Sequence, residues 1–168
     1  MSETVKNNQD TKYILEVRDL HTAFSTDQGG QVNAVNGVSF ALEPGKILGI
    51  VGESGSGKSV TAYSIMDILS DNGSITGGQV LYKGEDITQW DQKKMQHFRG
   101  KCCSIIFQDP MTSLNPVFTI GNQLMEAILL HTDRNKAEAK ARAIEMLQLV
   151  GINEPEKRIK QYPYELSG

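Results

Sequence analysis

Cysteine is almost missing from this chain: two residues in 168, and they are neighbours, Cys102 and Cys103. Adjacent cysteines bridge poorly and lack the spacing of a metal-ligand pair, which excludes a disulfide scaffold and a structural zinc site. A reducing compartment is the simple expectation, with both thiols as small buried residues opening a strand, one facing inward and one outward. Positive charge is not in excess either. Seventeen Lys+Arg against 20 Asp+Glu leave a net charge of −3, so the basic footprint of a nucleic-acid partner is absent. No apolar run approaches the roughly 18 residues of a membrane-spanning helix. The opening MSETVKNNQDTK has no apolar segment of the kind a secretory signal requires. The three histidines, His21, His97 and His131, are isolated and show no metal spacing.

What is present is an ordinary globular composition, 39% apolar and 22% charged, enough at this length for one core. Residues 1–12 read as a disordered tail and residues 13–168 as the folded part. Residues 14–24 and 32–42 carry strand-type composition on either side of a Thr26-Asp-Gln-Gly-Gly30 turn cluster, which predicts an antiparallel hairpin. Ile47-Leu-Gly-Ile-Val51 is a short, nearly continuous apolar run of the kind buried on both faces in a parallel sheet. Residues 102–107 read as a second such strand. Helices are predicted from about Lys58 to Leu69, over residues 88–100 with Gly100 as C-cap, after Thr119 as N-cap with Ile120, Leu124, Ala127 and Ile128 on one face, and from about Asn135 to Val150. The last has Ala137, Ala141, Ile144 and Leu147 in phase and a Glu138/Arg142 pair. Strand, loop and helix alternate, which argues α/β.

The sixteen glycines concentrate the chemistry. Gly52-Glu-Ser-Gly-Ser-Gly-Lys58-Ser59 fits G-x-x-x-x-G-K-[ST] without a mismatch and lies between an apolar run and a helical pattern. Glycines allow the backbone to turn successive N–H groups inward as an anion cradle, and the helix beginning at Lys58 aims its positive dipole end at the same point. Lys58 adds a full charge for the β- and γ-phosphates, and the Ser59 hydroxyl is placed to ligate Mg²⁺. Gly52, Glu53, Ser54, Gly55, Ser56, Gly57, Lys58, Ser59 and Val60 are therefore the candidate residues for binding a nucleoside triphosphate. The motif alone does not separate GTPase, kinase and transport ATPase.

Ser104-Ile-Ile-Phe-Gln-Asp109 has the look of a Walker B strand, an apolar run before an acid, but Gln108 intervenes where a Mg²⁺-binding carboxylate should directly follow the apolar run. Phe107-Gln-Asp-Pro-Met-Thr-Ser-Leu-Asn-Pro116 instead resembles the Q-loop of ABC transporter ATPases, in particular their oligopeptide/dipeptide importer branch. Ala34-Val-Asn-Gly-Val-Ser-Phe40, the phosphate loop and Tyr162-Pro-Tyr-Glu-Leu-Ser-Gly168 match the same family in the same order, the last as the approach to its signature motif.

The resemblance implies a P-loop NTPase fold of the ABC ATPase type: an antiparallel β subdomain, a parallel-sheet core, incomplete here, and a helical subdomain. It implies that Gln108 contacts Mg²⁺ and the attacking water, that Phe24 stacks on adenine, and that Leu166, Ser167 and Gly168 begin the signature. The implied cofactors are ATP and Mg²⁺. The implied partners are two transmembrane permease subunits, a second ABC ATPase subunit and, indirectly, an extracytoplasmic peptide-binding protein, with the chain peripheral on the cytoplasmic face of the membrane. The implied function is the ATP-binding subunit of a peptide importer. The Walker B aspartate, catalytic glutamate and switch histidine have no counterpart in the 168 residues, so a truncated form unable to hydrolyse ATP alone, with its phosphate-loop strand lacking a neighbour and prone to aggregate, is the expectation. Two other readings stay open: a P-loop small-molecule kinase, with Arg134, Arg142 or Arg158 on a lid, and a non-catalytic nucleotide-binding module.

Overall fold

The computed structural model describes residues 12–108 and 113–166. The proposed tail at residues 1–12 lies outside them except for Lys12, as do Ser167 and Gly168 of the signature. The chain forms two compact units, which meet in sequence between Gln96 and His97.

The first unit is built on the predicted hairpin. Strand β1 (Leu15–Ser25) pairs antiparallel with β2 (Gln31–Leu42). The turn between them closes through Thr26: its N–H donates to the Gly30 carbonyl at 2.8 Å, its carbonyl accepts from Gly29 N–H at 2.9 Å, and its hydroxyl accepts from Gly30 N–H at 3.0 Å. On its other side β1 pairs with β3 (Gly73–Tyr82), which pairs with the short β4 (Glu85–Asp86), giving the antiparallel order β2-β1-β3-β4. A bulge interrupts β1 between Val17 and Leu20, with Asp19 in the left-handed region at φ 46°. Val17, Leu20, Ala23, Val35 and Val80 are buried. Helix α1 (Lys58–Met66) is tied to β1 by the buried Thr22 and Ser64 hydroxyls, 2.8 Å apart. A 3-10 turn (Ile87–Gln89) and α2 (Gln92–His97) follow.

In the second unit a π-helical turn (Phe98–Cys102) leads to an extended stretch. Helix α3 (Ile120–His131) is capped by Thr119, whose hydroxyl accepts from Asn122 N–H at 3.3 Å. Helix α4 (Lys136–Leu149) begins with a capping box: Asn135 Oδ1 accepts from Ala137 and Glu138 N–H at 2.9 and 3.0 Å, and Glu138 Oε2 accepts from Asn135 N–H at 2.9 Å. Helix α5 (Pro155–Arg158) and a 3-10 turn (Pro163–Glu165) complete it. Ile120, Ala143, Leu147 and Ile159 form the core, with Leu124, Met125, Ile128, Ile144, Ile152 and Leu166 packed against it.

Several expectations need correction. Residues 47–51 belong to no strand, and Ile47 and Val51 are 100% and 94% exposed. Residues 103–107 likewise form no ladder, and Ile106 is 92% exposed. An apolar run becomes a strand only when a neighbour takes up its N–H and C=O groups, and none of the four described strands pairs with either run. The apolar faces thus stand open. Cys102 ends the π-turn and is exposed, and Cys103 is half-buried. The helix expected to end at Gly100 breaks into the 3-10 turn, α2 and the π-turn. On α4 the buried set is Ala139, Ala143 and Leu147, with Ala137 and Ala141 exposed. Arg142 pairs with Glu145 at 2.7 Å rather than with Glu138, which the capping box already uses. Ala127 on α3 is exposed, and Met125 takes the packed position instead.

Candidate functional site

The phosphate loop keeps its geometry through main-chain contacts. Gly55 and Gly57 have φ of 79° and 87°, and Gly57 is the N-cap of α1 in the left-handed conformation. A Cβ at Gly57 would lie 2.5 Å from the Ala34 carbonyl oxygen on β2, so only glycine admits this approach. Ser56 N–H donates to the Glu53 carbonyl at 3.2 Å, closing the loop. Inside α1, Thr61 N–H and hydroxyl both donate to the Gly57 carbonyl, at 2.8 and 2.9 Å. No acidic residue sits in the first turn of α1, so its positive end keeps its field for an anion.

Lys58 Nζ curls back over the loop, donating to the Gly52 and Glu53 carbonyls at 2.8 and 2.6 Å and to Ser56 Oγ at 3.3 Å. Ala34, Gly55, Ser56, Gly57, Lys58, Ser59 and Val60 line a cavity of about 150 Å³. The residues fit the groups expected there. Backbone N–H groups, an ammonium and a helix N-terminus suit a polyphosphate. The described residues hold no cluster of three or more His, Cys, Asp or Glu able to bind a metal by themselves. Ser59 supplies an exposed hydroxyl, which matches a Mg²⁺ held mainly by phosphate oxygens.

The other candidates lie apart in sequence. Phe24 sits on β1 opposite Val32 and Gly73. Its ring covers Gly73 so closely that a Cβ there would meet Phe24 Cε1 at 2.6 Å. Gln108 is exposed at the end of the extended stretch, in the second unit. Leu166 packs on the core of that unit. Burial pushes the Cys103 thiol above the ordinary thiol range. Two contributors were not anticipated: Ala34, which touches the loop through its carbonyl, and Gln123, whose amide ties a turn to α3. Contacts made by or to the main chain leave no side-chain signature in a sequence.

A profile for the ABC transporter family matches residues 35–168. This chain belongs to the ABC transporter family. Among curated ABC proteins it is 49% identical over 156 residues to the oligopeptide transport ATP-binding protein OppD of Bacillus subtilis, an alignment covering 92% of this chain and 43% of OppD. It is also 49% identical over 156 residues to the dipeptide transport ATP-binding protein DppD of the same organism, covering 92% of this chain and 46% of DppD. Against OppD of Escherichia coli it is 47% identical over 160 residues, covering 95% and 47%. The chain therefore spans less than half the length of each of these relatives. Its fold matches the dimeric structure of MJ0796, a bacterial ABC transporter cassette, with a TM-score of 0.76 at 20% identity over 92% of this chain and 63% of that one. The P-loop NTPase fold of the ABC ATPase type is thereby shown, and membership of the ABC family sets the small-molecule kinase aside. Among the described residues no helix is long and apolar enough to cross a membrane.

Proposed function

We propose that this chain carries the ATP-binding half-site of a peptide-importing ABC transporter. The observation that carries the reading is Lys58 Nζ lying on the main-chain carbonyls of a glycine-built loop at the start of α1, with Ser59 open beside it. Gly52 to Val60 would hold the triphosphate of ATP, Ser59 would be a ligand of Mg²⁺, which would supply neutralisation of the phosphate charge, and Gln108 would act on Mg²⁺ and the attacking water as the family resemblance implies. Phe24 would stack on adenine; its ring lies close against β3 at Gly73. The peptide class rests on the names of the relatives, which are oligopeptide and dipeptide transport proteins.

The second unit supports a docking role. Phe118, Met125, Leu129 and Leu130 line an apolar groove edged by Glu126 and Lys136, a surface suited to an amphipathic helix. We assign it to the transmembrane permease subunits, which would place the chain on the cytoplasmic face of the membrane. A second ABC ATPase subunit would supply the opposing signature, and an extracytoplasmic peptide-binding protein would act on the permeases from the other side.

Titration of the chain with a fluorescent ATP analogue and Mg²⁺ tests this. Saturable binding is expected, and Lys58→Ala should weaken it at least about tenfold by removing a charged donor. Equal affinity of the two proteins for the analogue would refute the phosphate-loop reading.

A further inference from the structure

Phe24 takes its place from β3 more than from β2. On the β2 side the ladder slips just before it: Thr22 stands opposite Val35 and Ala23 opposite Asn33, so Ala34 is the extra residue. A bulge of this kind leaves the ladder locally disrupted. On the β3 side the ladder is unbroken, with Thr22, Ala23 and Phe24 opposite Ile75, Ser74 and Gly73.

The loop that leads into β3 then closes the end of β1. Asn72 takes both main-chain groups of Ser25. Its carbonyl accepts from Ser25 N–H at 2.8 Å, and its Nδ2 donates to the Ser25 carbonyl at 3.0 Å. Two bonds inside the loop hold Asn72 in place: the Ser70 hydroxyl donates to Asn72 Oδ1 at 2.8 Å, and Gly73 N–H donates to the Ser70 carbonyl at 2.7 Å.

Gly73 supplies space. Its φ is not positive, so its backbone conformation does not itself call for glycine. A side chain there would instead meet the Phe24 ring. A Cβ would lie 2.6 and 2.9 Å from Phe24 Cε1 and Cδ1, and 3.2 Å from Leu69 Cβ. The ring edge occupies the volume that a side chain at residue 73 would fill, the close approach that a glycine within a strand permits.

We infer that Asn72 and Gly73 are positioning residues for the base of the bound nucleotide: Asn72 fixes the end of β1, and Gly73 seats the ring on which the base stacks. The consequence for nucleotide rests on the adenine role proposed for Phe24. Stacking depends on where the ring stands as well as on its presence. Neither residue belongs to the phosphate loop, so their effect falls on the base and spares the phosphates.

The test compares Mg²⁺–ATP with Mg²⁺–tripolyphosphate, which has the phosphates and no base, by calorimetric titration of the full chain. Phe24→Ala should lower the preference for ATP about tenfold, the size of one base–aromatic stack, with tripolyphosphate affinity unchanged. Gly73→Ala should lower it by a similar factor, because the methyl displaces the ring. Asn72→Asp keeps the size but turns the donor facing Ser25 into an acceptor, and should lower it about threefold. Adding Gly73→Ala to Phe24→Ala should lower it no further, since the ring is already gone. A further fall in that double variant overturns the inference. So does an equal loss of tripolyphosphate and ATP affinity in Gly73→Ala and Asn72→Asp, which is what substitutions that merely destabilise the fold would give. Nuclear magnetic resonance reads the seat of the ring with no nucleotide present. The Gly73 Hα signals should carry a ring-current displacement that Phe24→Leu removes, and Asn72→Asp should move them toward the Phe24→Leu values. Signals unmoved by Asn72→Asp overturn the inference. Signals that move, with the preference for ATP unchanged in Phe24→Ala, uphold the seating of the ring and refute the adenine role given to Phe24.

Discussion

Thr22 on β1 and Ser64 on α1 share a hydrogen bond of 2.8 Å between two buried hydroxyls, and Ser64 also donates to the Val60 carbonyl at 2.8 Å. This pair fixes the helix that presents Lys58 to the sheet that presents Ala34. Removing one partner strands a buried polar group, at a cost of about 1–3 kcal/mol, whereas removing both is milder. Thr22→Val should lower the urea midpoint, and Thr22→Val with Ser64→Ala should lower it by less than the sum of the singles. Additive losses would mean the hydroxyls do not communicate.

The two left-handed glycines of the loop separate strain from contact. Gly55 has open space around its Cβ direction, whereas Gly57 faces the Ala34 carbonyl. Gly55→Ala should cost about 1 kcal/mol, the left-handed penalty alone, and keep measurable binding of the ATP analogue. Gly57→Ala adds the collision and should cost about 1–3 kcal/mol, with binding lost as the loop leaves β2. Titration of both variants beside urea denaturation distinguishes them.

The open faces of residues 47–51 predict an inverted outcome for a hydrophobic residue. Ile47→Lys should change stability by no more than about 0.5 kcal/mol, as at any exposed position, while lowering the binding of a hydrophobic dye and the tendency to aggregate. A loss of several kcal/mol in denaturant titration would show that Ile47 is packed.

Cys103 offers a pH test. Burial favours the neutral thiol and raises its titration above the ordinary range, so the reactive thiolate forms only at more alkaline pH than in a free cysteine. Alkylation of Cys103 in a Cys102→Ser background should therefore rise with pH later than alkylation of the urea-unfolded chain. Coincident pH profiles would show that the thiol is open to water.

Much of the site was legible because its signals are local. The Thr26–Gly30 cluster announced the hairpin, Thr119 and Asn135 announced the starts of α3 and α4, and the glycine spacing announced the loop. The failures share one physical origin: a sequence states what a segment would bury, not whether something is there to bury it. Residues 47–51 and 103–107 have the composition of interior strands and lie open because no described strand pairs with them. On α4 the buried face carries Ala139 and Ala143 while Ala137 and Ala141, alanines at the same spacing, are exposed, so neither size nor spacing distinguishes the two faces in the sequence. Gln123 escaped notice because an amide bonding main-chain groups eight residues back obeys no periodicity.

The hairpin turn closed by Thr26 has a reach beyond its own five residues. By setting which β2 carbonyl stands opposite β1, it also sets which carbonyl meets Gly57, since Ala23 is paired with Asn33 just ahead of Ala34. Slipping the pairing by one residue reverses the direction of every group along a strand, carrying the Ala34 oxygen away from the loop. A single-residue insertion between Asp27 and Gly30, distant in sequence from every residue of the phosphate loop, would thus reshape that loop, and surface-loop engineering at this turn is engineering of the phosphate loop.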